Sequence, residues 1–174
     1  MKIRNLYLIG CVILTSIVIA SCQKISTPQQ PTEANEMILL GKYIAKYHPG
    51  LMPKSSGLYY VVTKAAADSA EAIVKGDVVD VFYNGFLIAD DPKAGVGDGY
   101  NFDGTGVTPF TFTVGAGKVI PGWDEGVAYM KEGTEAKLII PSRLAYGGAQ
   151  ISVIPGFSSL VFYLKATKKP VSLN

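Results

Sequence analysis

The stretch from Lys118 to Gly133 reads KVIPGWDEGVAYMKEG and contains the only Trp of the 174-residue chain. The dipeptide Pro121-Gly122 predicts a tight turn that leads into a short helix, and Gly133 is expected to end that helix. Asp124 and Glu125 lie in its first turn, where they complement the helix dipole. Its apolar residues recur at helical spacing and form one stripe, made of Trp123, Val127 and Met130. A helix of about ten residues is marginal alone in water, so the stripe predicts a larger surface that covers it.

Segments with the pattern of β-strands lie on both sides of this helix and predict that covering surface. They are residues 58–63, 77–85, 110–114, 135–141 and 159–166. In the second segment the alternation places Val79, Val81 and Tyr83 on one face. We therefore expect an α+β fold, in which a twisted antiparallel sheet of about five strands is wrapped on one short central helix.

An extra N-terminal helix is expected over residues 33–47, and His48-Pro49-Gly50 is expected to end it. Its apolar positions keep helical spacing and are Met37, Leu40, Ile44 and Tyr47. Two uses of this stripe are open, namely dimerisation and docking on the chain's own domain. The internal Gly41 weakens a helical zipper, which favours docking.

The N-terminal segment has the parts of a secretory signal. Lys2 and Arg4 supply positive charge, residues 6–20 are apolar, and Ile19-Ala20-Ser21-Cys22 resembles a bacterial lipobox. We expect a lipoprotein signal peptide over residues 1–21, cleavage before Cys22, and acylation of Cys22 with chains such as palmitate. A transmembrane anchor is the alternative, but the apolar run is shorter than the roughly 20 residues that span a bilayer.

The predicted anchor places the protein in the bacterial cell envelope. Residues 22–32 are polar and contain Pro, which predicts a flexible tether between membrane and domain. A lipid-anchored location at the periplasmic face or outer membrane is favoured over the cytoplasm, and the choice between inner and outer membrane stays open. Cys11 lies in the cleaved segment and Cys22 would carry lipid, so the mature domain has neither a free thiol nor a disulfide.

The charge of the chain argues against a nucleic acid partner. The sequence has 16 Lys and Arg, and without the two in the predicted signal peptide, Lys2 and Arg4, 14 remain against 14 Asp and Glu. A nearly neutral mature chain without a basic stripe lacks the electrostatic pattern of nucleic acid binding.

Seven separate motifs follow one another between Gly76 and Phe162. They are Gly76-Asp-Val-Val-Asp-Val-Phe-Tyr-Asn-Gly85, Phe102-Asp103, Pro109-Phe-Thr-Phe112, Val119-Ile-Pro-Gly-Trp-Asp-Glu-Gly126, Ala136-Lys-Leu138 with Pro141, Ala145-Tyr-Gly147, and Ile154-Pro155 before Leu160-Val-Phe162. In this order they resemble the FKBP-type peptidyl-prolyl cis-trans isomerases, here in a bacterial lipoprotein form. The resemblance implies an isomerase domain over 57–168, preceded by the helix and a connection over 33–56 and followed by a tail over 169–174.

The resemblance also implies an apolar pocket with Trp123 as its floor. Its catalytic residues would be Tyr83, Phe102, Asp103, Trp123, Tyr146 and Phe162, and its substrate-binding residues Phe110, Val119, Ile120 and Ile154. In the family, the backbone N–H at the position of Ile120 and the hydroxyl of Tyr146 donate hydrogen bonds to carbonyls of a bound prolyl peptide. For any single ring core packing is the simpler interpretation, but six rings from separate segments favour a shared pocket.

Isomerisation of an X–Pro bond needs no nucleophile, base, metal or cofactor, and we predict none. The barrier is about 20 kcal/mol, and the transition state is a twisted amide whose carbonyl is less polar than that of the planar form. A dry aromatic cleft therefore stabilises the twisted form more than water does. The expected partners are proline-containing unfolded or exported polypeptides, and the macrolide ligands of the family are further candidates.

Two functions of different classes remain open. One is a lipid-anchored isomerase that assists the folding of exported proteins, and the other is a non-catalytic binding module or chaperone with the same groove. The Tyr146 hydroxyl and the Asp103 carboxylate favour catalysis, because a pocket kept only as scaffold would not need them. A purely structural lipoprotein would leave both groups unexplained.

Two glycine-containing segments carry weaker predictions. Residues 89–101 (ADDPKAGVGDGYN) are expected to form a loop longer than the family's simple turn. Its aspartates suggest a calcium site, but the alternation of oxygen ligands is absent, which favours a solvated loop beside the pocket. Gly115-Ala-Gly-Lys118 lacks the upstream Gly of a phosphate-binding loop and is not interpreted as one.

Overall fold

Two helices and six strands form the part of the chain that the computed structural model describes, residues 31–91 and 95–169. In chain order they are α1 (Glu33–Tyr47), β1 (Tyr59–Lys64), β2 (Val78–Asp91), β3 (Gly95–Gly104), β4 (Phe110–Thr113), α2 (Pro121–Ala128), β5 (Glu135–Ile140), a short 3-10 helix (Ser142–Leu144) and β6 (Leu160–Lys168). The predicted signal peptide, the lipidation site Cys22, most of the tether and the tail beyond residue 169 lie outside the described residues. In the described part, neither helix has the length and apolar character needed to cross a bilayer.

The six strands form one antiparallel sheet with β2 near its centre. The strand order is β1-β5-β6-β2-β3, and β4 also pairs with β2. One edge of β2 pairs with β6, while the other pairs first with β4, over Val78–Val81, and then with β3, over Asn84–Asp91. The predicted α+β class is confirmed, with six strands in place of about five.

The Gly-rich segment 89–101 belongs to a β-hairpin, so the prediction of a loop there is wrong. Ala89 pairs with Gly97, and Ile88 pairs with Asp98. A Cβ atom on Gly99 would lie 2.5 Å from Ala89 Cβ, and one on Gly97 would lie 3.1 Å from the hydroxyl oxygen of Tyr47. Glycine permits these close approaches inside a strand, which is why its abundance did not indicate a loop here.

The short helix α2 packs against one face of the sheet, the inner face, through the predicted stripe. Trp123, Val127 and Met130 are all buried there, together with Val79, Val81, Leu138, Leu160 and Leu164. The helix ends at Ala128, five residues before the predicted end at Gly133. The N–H groups of Tyr129 and Met130 donate to carbonyls three residues earlier, and the Met130 carbonyl accepts from the Ile73 N–H. The tightened last turn and this contact with another segment end the helix early.

The N-terminal helix α1 has the predicted bounds and packs against the opposite, outer face of the sheet. Leu40 and Tyr43 are buried there against Ile88, Ile139 and Val161. Docking on the chain's own domain is therefore confirmed. The predicted stripe is only partly right, because the helix also buries Glu36, whereas Met37 and Tyr47 are exposed. A pattern of apolar residues cannot indicate a buried carboxylate.

Polar groups between α1 and the sheet form the outer tyrosine cluster, which consists of Tyr43, Tyr163, Asp98 and Lys137. Both tyrosine hydroxyls donate to the Asp98 carboxylate, that of Tyr163 at 2.6 Å. The Lys137 ammonium lies 3.9 Å from Asp98 and about 5 Å above each of the two rings, at 5.0 and 4.9 Å from their centroids. Burial foremost, then the bond to Asp98, raises the pKa of both tyrosines, and burial lowers the pKa of Lys137.

The cluster also bears on the calcium interpretation of residues 89–101. The Asp98 carboxylate is engaged by tyrosines, and Asp90 forms an ion pair with Lys42 at 2.9 Å. Among the described residues, no group of three or more His, Cys, Asp or Glu side chains is arranged to hold a metal ion.

Candidate active site

A cavity of about 540 Å³ lies between the inner face of the sheet, the N-terminal end of α2 and the segment that follows the 3-10 helix. It is lined by Tyr83, Phe102, Asp103, Phe110, Gly117, Lys118, Val119, Ile120, Pro121, Trp123, Ala145, Tyr146 and Phe162. Nine of the ten residues predicted for catalysis or substrate binding are in this set. Trp123 is 4% exposed and Phe110 is 43% exposed, so the rings extend from a buried base to an open rim.

Ile154 is the one predicted binding residue that the structure does not bring to the cavity wall. Its side chain is buried in the core on the inner face. Its backbone forms reciprocal hydrogen bonds with Ile151, both at 2.9 Å. Its described contacts are those of core packing, and its assignment to substrate binding stays a prediction.

Four strands and α2 each contribute one ring to the cavity. These are Tyr83 of β2, Phe102 of β3, Phe110 of β4, Phe162 of β6 and Trp123 of α2. On β2, Val79 and Val81 are fully buried, and Tyr83 follows two residues later on the same face. The alternation of the strand thus leads from the core directly into the wall of the cavity.

Trp123 forms the base of the cavity and is in contact with four rings. Its ring centroid lies 4.8 Å from Tyr83, 5.2 Å from Phe162, 5.9 Å from Phe112 and 6.1 Å from Phe110. The closest two contacts are edge-to-face, which is a favourable geometry for aromatic pairs. Because each of these rings contacts at least two others, the base of the cavity is closely packed and mostly apolar.

Gly85 makes room for two of these rings, a role that sequence analysis missed. A Cβ atom at this position of β2 would lie 2.7 Å from Phe162 Cε1 and 2.8 Å from Phe102 Cζ. No real side chain tolerates such distances, so any larger residue would displace both rings. The position of this glycine two residues after Tyr83, on the same face, was the available signal.

Asp103 and Tyr83 form a hydrogen-bonded pair at the cavity wall. The Tyr83 hydroxyl donates to Asp103 Oδ2 at 2.6 Å, and the Gly104 N–H donates to Asp103 Oδ1 at 2.8 Å. Burial foremost, then the bond to Asp103 and its negative charge, raises the pKa of Tyr83. Tyr83 therefore stays neutral near pH 7, and its hydroxyl is directed at the carboxylate.

Tyr146 and Ile120 present hydrogen-bond donors that no described residue occupies. Neither the Tyr146 hydroxyl nor the Ile120 N–H donates to another group within residues 31–91 and 95–169. Burial foremost, and then the charge of Asp103, raises the pKa of Tyr146, so its hydroxyl keeps its proton. Both groups are thus available to the carbonyls of a ligand in the cavity.

Asp124 holds the loop that forms one side of the cavity, a role beyond the helix dipole to which sequence analysis assigned it. Its two carboxylate oxygens accept from the N–H groups of Gly115 at 2.8 Å and Gly117 at 2.9 Å. Both glycines have positive φ angles, of 73° and 66°, which L side chains rarely adopt. These N–H groups already donate to Asp124, so in this structure they are not available to a phosphate group.

The fold and this cavity define a class of protein, a small antiparallel sheet wrapped on one helix with an aromatic pocket between them. Residues 69–166 match the sequence family described as FKBP-type peptidyl-prolyl cis-trans isomerase. The crystal structure of FkpA from Escherichia coli is similar, with a TM-score of 0.61 and 35% identity over 79% of this chain and 59% of that chain. The chain belongs to the family of FKBP-type peptidyl-prolyl cis-trans isomerases.

Curated relatives agree with this assignment. FkpA of Escherichia coli K12 is 41% identical over 115 residues, which are 65% of this chain and 38% of that protein. FK506-binding protein 1A of Neurospora crassa is 39% identical over 114 residues, which are 64% of this chain and 87% of that protein. The chain thus spans less than half the length of the FkpA sequences and most of the length of the fungal relative.

Proposed function

We propose that this protein catalyses the cis–trans isomerisation of X–Pro bonds, and that the ring-lined cavity is its active site. The observation that carries the proposal is the combination of a closely packed aromatic base with two unoccupied donors, the Tyr146 hydroxyl and the Ile120 N–H. Membership of the isomerase family supports it independently.

The aromatic base would hold the proline ring of the substrate. Trp123, Tyr83 and Phe162 offer an apolar surface that fits a saturated five-membered ring, and Phe110 closes the rim. With the ring held, the chain on the other side of the X–Pro bond can rotate. The twisted amide is less polar than the planar one, so an environment that excludes water lowers the barrier of about 20 kcal/mol.

The donors would hold the carbonyls of the substrate in register. A hydrogen bond from Tyr146 and one from the Ile120 N–H fix the peptide on either side of the proline and present the bond for rotation. Asp103 would act by orienting Tyr83, since both of its oxygens already accept bonds within the protein. No group has to gain or lose a proton during the reaction.

A prolyl tetrapeptide assay with the purified full chain tests this proposal. Tyr146→Phe removes one donor and should lower kcat/KM by about two- to tenfold, the value of one hydrogen bond. Tyr129→Phe is the matched control, because the Tyr129 hydroxyl donates to Glu125 at 3.0 Å outside the cavity. Its kcat/KM should equal that of the wild type.

The assay also separates catalysis from binding alone. A wild-type rate equal to the uncatalysed rate contradicts the isomerase and favours the binding module, which would then retain affinity for proline-containing peptides. Equal losses in Tyr146→Phe and Tyr129→Phe would contradict the assignment of the Tyr146 hydroxyl to the site.

We further propose that the substrates are exported polypeptides and that the protein is anchored by lipid on Cys22 in the cell envelope. The apolar segment that ends in Ile19-Ala20-Ser21-Cys22 supports this proposal. Labelled palmitate fed to a bacterium that expresses the chain should be incorporated into the protein. Cys22→Ser should abolish both this label and the recovery of the protein in the membrane fraction. Retention of the label in Cys22→Ser would contradict the anchor.

A further inference from the structure

A single buried carboxylate of α1 reaches across to the segment that contains Tyr146. Glu36 is 5% exposed, and its carboxylate accepts three hydrogen bonds. The Ser142 N–H donates to Oε1 at 2.6 Å, the Ser142 hydroxyl donates to Oε2, and the Ser159 hydroxyl donates to Oε1 at 2.6 Å. Glu36 lies outside residues 69–166, the range that matches the isomerase family.

Ser142 connects Glu36 by hydrogen bonds to the two residues that flank Tyr146. Its N–H and hydroxyl are bound to Glu36, and its carbonyl accepts from the N–H groups of Ala145 and Gly147, both at 2.8 Å. Tyr146 lies between these two donors. The backbone on both sides of Tyr146 is thus bound to Ser142, and Ser142 is bound to Glu36.

Ser159 provides the second attachment, at the other end of the same segment. It directly precedes β6, which begins at Leu160 and contributes Phe162 to the cavity. Within the segment, the Phe157 N–H donates to the Gly147 carbonyl at 2.7 Å. One carboxylate therefore binds both ends of residues 142–159, a segment with little secondary structure of its own.

Contacts other than those of Glu36 also dock α1 on the sheet, since Leu40 and Tyr43 bury their side chains there and Tyr43 donates to Asp98. A carboxylate is costly to bury unless it is fully hydrogen-bonded. Charge-assisted bonds are directional, so they fix the positions of their donors in a way that apolar contacts do not. The arrangement therefore serves the geometry of the segment more than the docking of the helix.

We propose that Glu36 is a positioning residue of the isomerase site, which makes α1 a working part of the catalytic unit. The proposal rests on the proposed isomerase function. Glu36 acts through Ser142 on Tyr146 and touches no substrate.

The first experiment compares two residues one turn apart on α1. Glu36→Ala should lower kcat/KM by about three- to tenfold, mainly through a higher KM, because Tyr146 binds the substrate carbonyl in the planar and twisted states alike. Leu40→Ala is the matched control, since Leu40 is equally buried but contacts the sheet. It should lower the midpoint of thermal unfolding and leave kcat/KM unchanged when both variants are assayed well below their midpoints.

The second experiment asks whether Glu36 acts through Tyr146. In a double-mutant cycle, Glu36→Ala should have little further effect on kcat/KM in the Tyr146→Phe background, because the hydroxyl that it positions is gone. Additive losses would overturn the proposal. So would equal losses of kcat/KM in Glu36→Ala and Leu40→Ala.

Hydrogen exchange gives a readout that does not depend on activity. The amides of Ala145 and Gly147 should exchange faster in Glu36→Ala than in Leu40→Ala when the two variants are compared under conditions that give them the same free energy of unfolding. Equal exchange rates would overturn the proposal. If Glu36→Ala fails to fold, Ser142→Ala and Ser159→Ala each remove one hydroxyl donor and should show the same changes at smaller size. A wild type without isomerase activity contradicts the proposed function, whereas an active wild type with an equally active Glu36→Ala variant contradicts this proposal alone.

Discussion

The two faces of the sheet both carry clusters of aromatic side chains, and they differ in what their polar groups do. In the outer tyrosine cluster, the hydroxyls of Tyr43 and Tyr163 both donate to Asp98, and Lys137 lies against the same carboxylate. In the cavity, the Tyr146 hydroxyl has no acceptor among the described residues. Aromatic content alone therefore does not mark a binding site. An unoccupied donor beside an apolar opening does so.

The largest difference between the two faces is expected for neighbouring residues of β6 that point to opposite sides of the sheet. Phe162 forms part of the cavity base, and Tyr163 belongs to the outer tyrosine cluster. Phe162→Ala should lower the free energy of unfolding by about 3–5 kcal/mol. It should also lower kcat/KM by more than about tenfold, because the proline ring loses its support.

The control for Phe162→Ala is Tyr163→Ala. It should lower the free energy of unfolding by about 1–3 kcal/mol and leave kcat/KM within about twofold of wild type. Urea unfolding and the tetrapeptide assay measure the two quantities. Comparable losses of kcat/KM in both variants would contradict the assignment of activity to the inner face alone.

A smaller effect is expected from filling the space that Gly85 leaves for the rings. Gly85→Ala should displace Phe102 and Phe162, lowering the free energy of unfolding by about 1–3 kcal/mol. The misplaced rings should also lower kcat/KM several-fold, as measured in the same assay. An alanine at Gly85 with wild-type activity would mean that the ring positions are not critical.

Gly41 is the matched glycine on the outer side of the molecule. A Cβ atom there would meet nothing within 4 Å, and the residue lies in the interior of α1. Gly41→Ala should therefore stabilise the protein by about 0.5–1 kcal/mol through higher helix propensity and leave kcat/KM unchanged.

The smallest expected effect is a pH dependence confined to the outer face. Burial foremost, then the positive charge of Lys137, lowers the pKa of His48 below its ordinary value of 6.5, while Asp98 acts in the opposite direction. The unfolded chain then binds a proton at a higher pH than the folded protein does. Stability contributed by neutral His48 is present above pH 6.5 and is lost as the pH falls through the lowered pKa.

Thermal unfolding followed from about pH 7 to about pH 5 measures this dependence, since that range covers the titration of histidine. The midpoint should fall by a few degrees more in the wild type than in His48→Asn. Isomerase rates measured well below the midpoint should not change over this pH range, because Tyr83 and Tyr146 have raised pKa values and stay neutral. Identical pH dependence in wild type and His48→Asn would contradict the assignment to His48.

The sequence predicted the parts of the molecule that local pattern and motif order control. The bounds of α1, the buried stripe of α2 and nine cavity residues agree with the structure. Motif order placed rings from five distant segments in one pocket, which no periodicity could have done. Ile154 is the one residue of the set that does not line the cavity, because its motif indicates that the segment is present but not which way the side chain points.

Long-range pairing explains what the sequence did not reveal. From sequence, the glycines of residues 95–104 suggest a loop. In the structure, Gly99 leaves room for Ala89 and Gly97 leaves room for the Tyr47 hydroxyl. Glu36 and Asp124 look like ordinary surface carboxylates of helices, since their partners are the backbone and hydroxyl groups of other segments. A buried polar residue is recognisable only once its donors have been brought to it.

The single Trp gives the unlabelled protein its own optical reporter. Trp123 lies at the base of the cavity, in contact with four other rings, and the chain has no second indole to obscure its emission. A ligand that fills the cavity displaces solvent above this indole, so intrinsic fluorescence would report directly on binding of the proposed prolyl peptides. Affinity can thus be measured separately from turnover, in one cuvette and without modifying the chain.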